Sequence, residues 1–257
     1  MISKARIKWI KSLEVRKFRL QNNAFVAEGP KLVGELLSRF TPLYLAATKE
    51  WLAANSNHIA ADTEVDEVSQ QELDRISMLR TPQDVVAVMP IPDRKLNITS
   101  LQNQLVIALD GVQDPGNLGT ILRLADWFGI RNILCSEGTA DVFNPKSIQS
   151  CMGALARVNV HYCNLPNIFS EVQMPVFGTF LDGTDIYEEE LSPYGIIVMG
   201  NEGNGISEEV GKLVNRRLYI PNFPKGSSTT ESLNVAVATG IVCAEFRRRN
   251  KKGISQD

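Results

Sequence analysis

Three polar segments, each following an apolar run, hold the residues whose types and spacing could do chemistry. The first is Asp110–Arg123, DGVQDPGNLGTILR. Pro115-Gly116 forces a turn, and Asn117 is suited to cap a helix that begins after it. Arg123 stands six residues further on, more than one turn into that helix. A helix N-terminus attracts anions and an arginine fork matches phosphate. Phosphate binding is therefore one reading, and a capped helix with a solvated arginine is the other. The second segment is Met199–Ser207, MGNEGNGIS. Gly200, Gly203 and Gly205 permit close approach of a ligand or of another backbone stretch. Glu202 among them could hold a loop through backbone amides, and Ser207 suits a helix cap. The third is Ile220–Val235, IPNFPKGSSTTESLNV, small and polar from Gly226 to Ser232. Ser232 and Asn234 flank Leu233 at the entry to an apolar helix. It reads as a loop that encloses a ligand or as a well-capped helix start.

Other chemistries lack their parts. There is no GxGxxG and no GxxxxGK[ST], so dinucleotide and P-loop readings fail on spacing. His58 and His161 are the only imidazoles, with no Cys or His at ligand spacing, which argues against zinc and against a Ser-His-Asp hydrolase. Cys135, Cys151, Cys163 and Cys243 form no CxxC pair and sit in apolar surroundings, the pattern of buried free thiols. A reduced, cytoplasmic, metal-free protein is expected.

The elements that must position these segments alternate. Apolar runs at Leu105–Leu109, Asn132–Cys135, Val176–Phe180, Ile196–Met199 and Leu218–Ile220 lack polar alternation, as strands covered on both faces do. Helical patterns fall at Leu118–Phe128, Lys146–Ala156, Ser207–Val214 and Leu233–Arg248. This predicts an α/β fold, a mainly parallel sheet with helices on both sides, with ligands beyond the carboxyl ends of the strands. Upstream, a smaller α/β domain is predicted. It has a helix over Ile2–Leu20, strands at Phe25–Ala27, Leu43–Ala47 and Val85–Met89, and helices at Lys31–Phe40 and Gln70–Ser77. The Pro-containing, aperiodic stretch PIPDRKLNITSLQNQ separates the two, giving domains over 1–90 and 104–257 with a linker at 91–103.

Composition sets the outer bounds. The chain has 257 residues, Lys+Arg 27 against Asp+Glu 29, and 44% hydrophobic residues, which excludes disordered, collagen-like and coiled-coil classes. No apolar run reaches the ~18–20 residues that span a bilayer. The first residues alternate basic and apolar types and lack the h-region of a signal peptide. A transit peptide is the weaker reading because of Glu14. A net charge of -2 hides local clusters. Lys4, Arg6, Lys8, Lys11, Arg16, Lys17 and Arg19 stand against Glu14, and Arg247, Arg248, Arg249, Lys251 and Lys252 against Glu245. Either cluster fits phosphate binding or a solvated helix end.

In order and content, NLGTILRLADWFGI, IIVMGNEGNGIS and IPNFPKGSSTTESLNVAVATGI resemble the three motifs of SpoU-type (TrmH-like) RNA ribose methyltransferases of the SPOUT superfamily. SIQSCMGALARVNV resembles the segment that connects them. The resemblance spans about residues 104–248. NNAFVAEGPKLVGELL and LRTPQDVVAVM resemble the substrate-binding domain that often precedes it, which is related to RNA-binding ribosomal proteins.

The resemblance implies methyl transfer from S-adenosylmethionine to a ribose 2′-hydroxyl, a deep C-terminal trefoil knot holding that cofactor, and a homodimer. By matching positions, it implies cofactor contacts at Gly200, Ile220 and Leu233. Functional polar roles fall to Asn117, Arg123, Glu202, Ser232 and Asn234, with Arg123 at the centre of catalysis. Ribosomal RNA is favoured over transfer RNA. The alternatives are a tRNA 2′-O-methyltransferase, a non-catalytic RNA-binding ribosome-assembly factor, and an unrelated nucleotide-dependent oxidoreductase. The stretch between Pro221 and Ser232 is longer than the usual loop, so Thr229 or Thr230 could take over contacts there.

Overall fold

The computed structural model describes residues 2–93, 95–224, 227, 230 and 232–250. Compactness divides the chain into two units, Met1–Asp93 with Asp141–Ala156, and Arg94–Ala140 with Arg157–Asp257.

The first unit begins with α1 (Lys4–Ser12) and α2 (Arg16–Asn22), where the sequence predicts one helix over Ile2–Leu20. The break has a cause. The Arg19 guanidinium is buried, donates to the carbonyls of Leu13 at 2.9 Å and Glu14 at 2.6 Å, and pairs with Asp141 at 2.7 Å. Those carbonyls are taken from the helical ladder. Then come β1 (Ala24–Glu28), α3 (Pro30–Leu37), β2 (Tyr44–Ala47), α4 (Lys49–Asn55), β3 (Glu64–Glu67), α5 (Gln70–Ile76) and β4 (Val85–Pro90). The sheet order is β1-β4-β2-β3, antiparallel except for the β2/β3 pair. Helices start on side-chain caps: Ser3 for α1, Thr48 for α4, and a Ser69/Glu72 capping box for α5. The short α4 and the exposed acidic edge strand β3 have no counterpart in the expected elements.

The second unit opens with a 3₁₀ turn at Ile98–Leu101, inside the stretch expected to be an aperiodic linker; Leu101 is buried there. β5 (Leu105–Asp110), α6 (Pro115–Trp127) and β6 (Asn132–Cys135) follow. The next helix, α7 (Pro145–Cys151), groups with the first unit, although it lies inside 104–257. Three contacts hold its segment there. They are the Arg19–Asp141 pair, a 2.9 Å bond from Gln149 Nε2 to the Glu28 carbonyl, and Phe143 against Phe25 at 5.0 Å between ring centroids. The expected helix over Lys146–Ala156 stops at Met152, which takes a left-handed φ of 49°.

The chain continues with β7 (Asn159–Tyr162), α8 (Leu165–Glu171), β8 (Val176–Asp185), β9 (Gly195–Gly200), α9 (Glu208–Gly211), β10 (Arg216–Tyr219) and α10 (Val235–Arg249). All six strands are parallel, in the order β10-β8-β9-β5-β6-β7. One face packs Val106, Ala108, Leu134, Ile196 and Val198 under α8 and α9. The other carries α6 and α10, with Phe177 against Phe246 at 4.9 Å. The expected α/β sheet with helices on both sides is thus present.

α6 and α10 run parallel, joined at both ends. Asn234 bonds Asn117 near their N-termini, and Arg247 bonds the Phe128 carbonyl at their C-termini. Between these ends Gly240 faces Leu124, which an added Cβ would meet at 3.5 Å, an ordinary van der Waals contact.

Candidate active site

The carboxyl ends of the central strands carry the site. Strand β5 ends on Asp110, whose Oδ2 accepts the Ser207 amide at 2.8 Å. Strand β9 ends on Gly200. An added Cβ there would lie 2.2 Å from the Gly205 carbonyl carbon, so only glycine lets the 201–205 loop fold back. That loop is a small closed unit. Asn201 and Gly205 exchange backbone bonds at 2.9 and 3.0 Å, and Asn201 Oδ1 accepts the amides of Gly203 and Asn204 at 2.9 Å. Asn201 Nδ2 also donates to the Gly111 carbonyl at 2.7 Å, tying the two strand ends together.

The closed loop aims Glu202 at the start of α6. Its carboxylate accepts the Gln113 amide at 3.1 Å, the Asp114 amide at 3.3 Å and Asn117 Nδ2 at 3.0 Å. Partial burial pushes this carboxyl up, but the Asn117 side chain and nearby amides outweigh it and hold Glu202 below the ordinary glutamate value. Asn117 is not the cap of its helix. Asp114 is, its Oδ1 accepting the Asn117 amide at 2.8 Å, because the helix starts at Pro115 rather than after Asn117. The Asn117 side chain is thereby released for a second role. Its Oδ1 accepts from Asn234 Nδ2 at 3.0 Å, while Asn234 Oδ1 caps α10 on the amides of Ala236 and Val237 at 3.0 and 3.3 Å.

The result is a relay with a fixed direction. A carboxylate can only accept, and helix amides can only donate. Both amide side chains between them are therefore oriented without ambiguity. The relay spans three separate segments of sequence.

Around this relay stand the other expected site residues. Arg123 is exposed on α6, and among the described residues nothing forms a hydrogen bond or ion pair with its guanidinium. Ser232 and Leu233 precede Asn234, both exposed, Leu233 at 49%. Ile220 is half-buried immediately beyond β10, where Asn222 Nδ2 bonds the Ser227 carbonyl at 2.7 Å. The structure therefore joins Asn117, Glu202 and Asn234 by hydrogen bonds. It sets Gly200 and Leu233 next to them in the chain. Arg123 and Ile220 have no direct contact with that trio. Thr229 lies outside the described residues, while Thr230 is exposed.

Sequence reasoning passed over Asp110, Asp114 and Asn201, which build the scaffold. Their signal was position: two polar residues framing a strand-end Gly, and an Asn between strand and Gly-rich loop. Among the described residues no cluster of three or more His, Cys, Asp or Glu could hold a metal, and no helix is long and apolar enough to cross a membrane. Burial pushes up the thiols of Cys135, Cys151, Cys163 and Cys243, and none is in a disulfide.

The parallel sheet, the strand-end loops and the relay together define a SpoU-type domain. Residues 104–244 match the SpoU rRNA Methylase family, and residues 4–87 match the MRM3-like substrate binding domain. This chain belongs to the SpoU rRNA methylase family. It is 33% identical over 250 residues to the 23S rRNA (guanosine(2553)-2′-O)-methyltransferase RlmP of Bacillus subtilis, covering 94% of this chain and 96% of that protein. A solved structure from Porphyromonas gingivalis, assigned to the TrmH family of RNA methyltransferases, superposes with a TM-score of 0.87 at 44% identity, over 97% of this chain and 99% of that one. An AdoMet-bound rRNA methyltransferase from Sinorhizobium meliloti superposes with a TM-score of 0.85 at 29% identity, over 99% and 98%.

Proposed function

We propose that this protein transfers a methyl group from S-adenosylmethionine to a ribose 2′-hydroxyl of ribosomal RNA. The observation that carries the proposal is the Glu202–Asn117–Asn234 relay, which fixes the start of α6 while leaving the Arg123 guanidinium on the same helix without a partner. A buried, paired arginine would be structural; a free one on a doubly anchored helix is poised for an anion. The RNA-directed names and close coverage of the relatives support the same reading.

The residues present suit the cofactor. Half-buried Ile220 and half-exposed Leu233 offer apolar faces to an adenine, and the closed 201–205 turn shapes one wall from backbone. When bound, S-adenosylmethionine supplies a methyl on a sulfonium, which leaves as the neutral thioether while the new O–CH₃ bond forms. The protein's own residues supply placement. Arg123 grips the phosphate beside the target ribose with its fork and aims the 2′-hydroxyl. Arginine keeps its proton in proteins, so the hydroxyl proton passes to an oxygen of that same phosphate, whose charge the guanidinium holds. Glu202, Asn117 and Asn234 hold the loops that carry this geometry, and Ser232 lines the nucleotide side. Orientation of two bound reactants contributes roughly 7–11 kcal/mol in favourable cases, enough to dispense with a metal.

The same reading extends to the C-terminal knot, to domains at 1–90 and 104–257 joined at 91–103 with residues 141–156 of the latter grouped in the first unit, to a cytoplasmic location and to a homodimer. On α10, Val235, Val242 and Phe246 are buried in their own core, whereas Val237 is 54% exposed; Trp127 on α6 is 85% exposed. These two are the surface offered to a second copy, and light scattering on the purified chain tests it.

The deciding experiment incubates the protein with methyl-labelled S-adenosylmethionine and protein-free rRNA or tRNA. Label in rRNA at a mapped 2′-O position is expected. Label in tRNA alone overturns the substrate assignment. No label in either, with cofactor bound, leaves a non-catalytic RNA-binding protein.

A further inference from the structure

The structure sorts the cations near the two ends of the chain into engaged and free. Arg247 donates to the Phe128 carbonyl at 2.7 Å and the Gly129 carbonyl at 3.3 Å. Arg249 bonds the carbonyls of Ile186, Tyr187 and Glu189. Arg248 forks onto Glu245, whose carboxyl the Arg248 and Arg249 guanidiniums hold down to about 2. This run of arginines, which composition alone makes a candidate for nucleic acid, is spent inside its own unit. Lys251 and Lys252 lie outside the described residues.

At the other end, Arg6 pairs with Glu64 and lies over the rings of Trp9 and Tyr44, and Arg19 is buried on Asp141. Lys4, Lys8 and Lys11 are different. All three are exposed, and among the described residues none takes part in a hydrogen bond or ion pair; Lys11 exerts only a longer-range pull on the Glu28 carboxyl. At 100° per residue they fall within an arc of about 60°, on the side of α1 away from buried Ile10 and Leu13. Their span is about 10 Å, roughly three nucleotides of a stacked strand. Arg16 and Lys17, also exposed and without such partners, extend the charge onto α2, where Phe18 is 39% exposed. Like charges one turn apart work against a helix unless something neutralises them.

We propose that the Lys4–Lys8–Lys11 stripe of α1, continued by Arg16 and Lys17, is the surface on which the first unit holds the phosphate backbone of the substrate RNA, and that the C-terminal arginines have no part in it. This rests on the RNA reading above and deepens it. The contacts are to phosphate, so the stripe supplies affinity and register and leaves base choice to other residues.

The test uses the full chain with the three substitutions K4Q, K8Q and K11Q combined, and R248Q as the comparison. Binding of a fluorescein-labelled single-stranded RNA is followed by anisotropy across a salt series, and methyl transfer is measured on a protein-free 23S rRNA transcript. For the triple variant the log–log salt slope should fall by about 2, at ~0.7 per phosphate contact, and KM for rRNA should rise roughly tenfold. Its kcat and affinity for S-adenosylhomocysteine should match the unsubstituted chain, and its melting temperature should be no lower. R248Q should leave slope and KM unchanged. A triple variant with unaltered slope and KM, or an R248Q that loses as much, overturns the proposal. If the unsubstituted chain methylates no RNA while the slope still falls, the enzymatic reading fails and the binding surface stands.

Discussion

The relay makes Asn234 the position where stability and activity can be pulled apart. Asn234 does two things: Oδ1 caps α10 and Nδ2 donates to Asn117. Replacing it with alanine removes both. The cap is worth about 1 kcal/mol. The exposed neutral bond sits at the lower end of its range, about 0.5 kcal/mol. Together they make about 1.5 kcal/mol, a fall of roughly 3–6 °C in the melting of a unit this size. Asn234→Asp keeps the cap and adds a favourable charge at the helix N-terminus, so its melting temperature should stay within about 2 °C of the original. The aspartate cannot donate, however. Asn117 Oδ1 would face a carboxylate, and Asn117 cannot flip because its Nδ2 is committed to Glu202. The start of α6 must shift. A displacement of about 1 Å near reacting groups costs on the order of 10²-fold in rate. Single-turnover methyl transfer with thermal unfolding in parallel reads both quantities. A stable Asn234→Asp enzyme with an undiminished rate would refute the directional relay; an unstable one would refute the cap assignment.

Other outcomes follow from the same geometry. Arg123→Lys keeps charge and loses the fork, and should lower kcat by at least about 10²-fold while calorimetry shows S-adenosylhomocysteine bound as before. Glu28 is pushed above the ordinary 4.5 by burial, against the Ser77 and Met78 hydrogen bonds and the pull of Lys11. A raised folded value means that its contribution to stability is fully present below 4.5 and is lost as pH rises from there through the raised folded value. Glu28→Gln should flatten this pH dependence in unfolding experiments and change stability at neutral pH by less than about 1 kcal/mol. Arg247→Met removes the bonds to the last carbonyls of α6 and should cost about 1–2 kcal/mol by denaturant unfolding, with RNA affinity unmoved.

How much of this could be read from the sequence depends on what each residue reports. The central strands announced themselves because burial on both faces demands uninterrupted apolar runs, as at Leu105–Asp110 and Gly195–Gly200. Two of the four edge strands, β3 and β7, did not. β7 is Asn-Val-His-Tyr and β3 is Glu-Val-Asp-Glu, and an edge position relaxes the apolar demand. Glu202 and Asn234 were visible as polar residues at strand-end loops. Their connection through Asn117 was not, since it depends on a helix starting three residues earlier than Asn117 suggested. The arginine run at 247–249 shows the limit most clearly. Charge reveals a cation, but only the position of carbonyls from residues 128 and 186–189 shows that two of these guanidiniums are turned inward.

The excursion of residues 141–156 into the first unit governs how the molecule can be taken apart. A fragment ending at Asp93 would strand the Arg19 guanidinium without Asp141 and uncover one side of Phe25. An orphaned interior charge of that kind costs about 3–5 kcal/mol. Grafting the first unit onto another protein therefore takes two pieces of gene, not one.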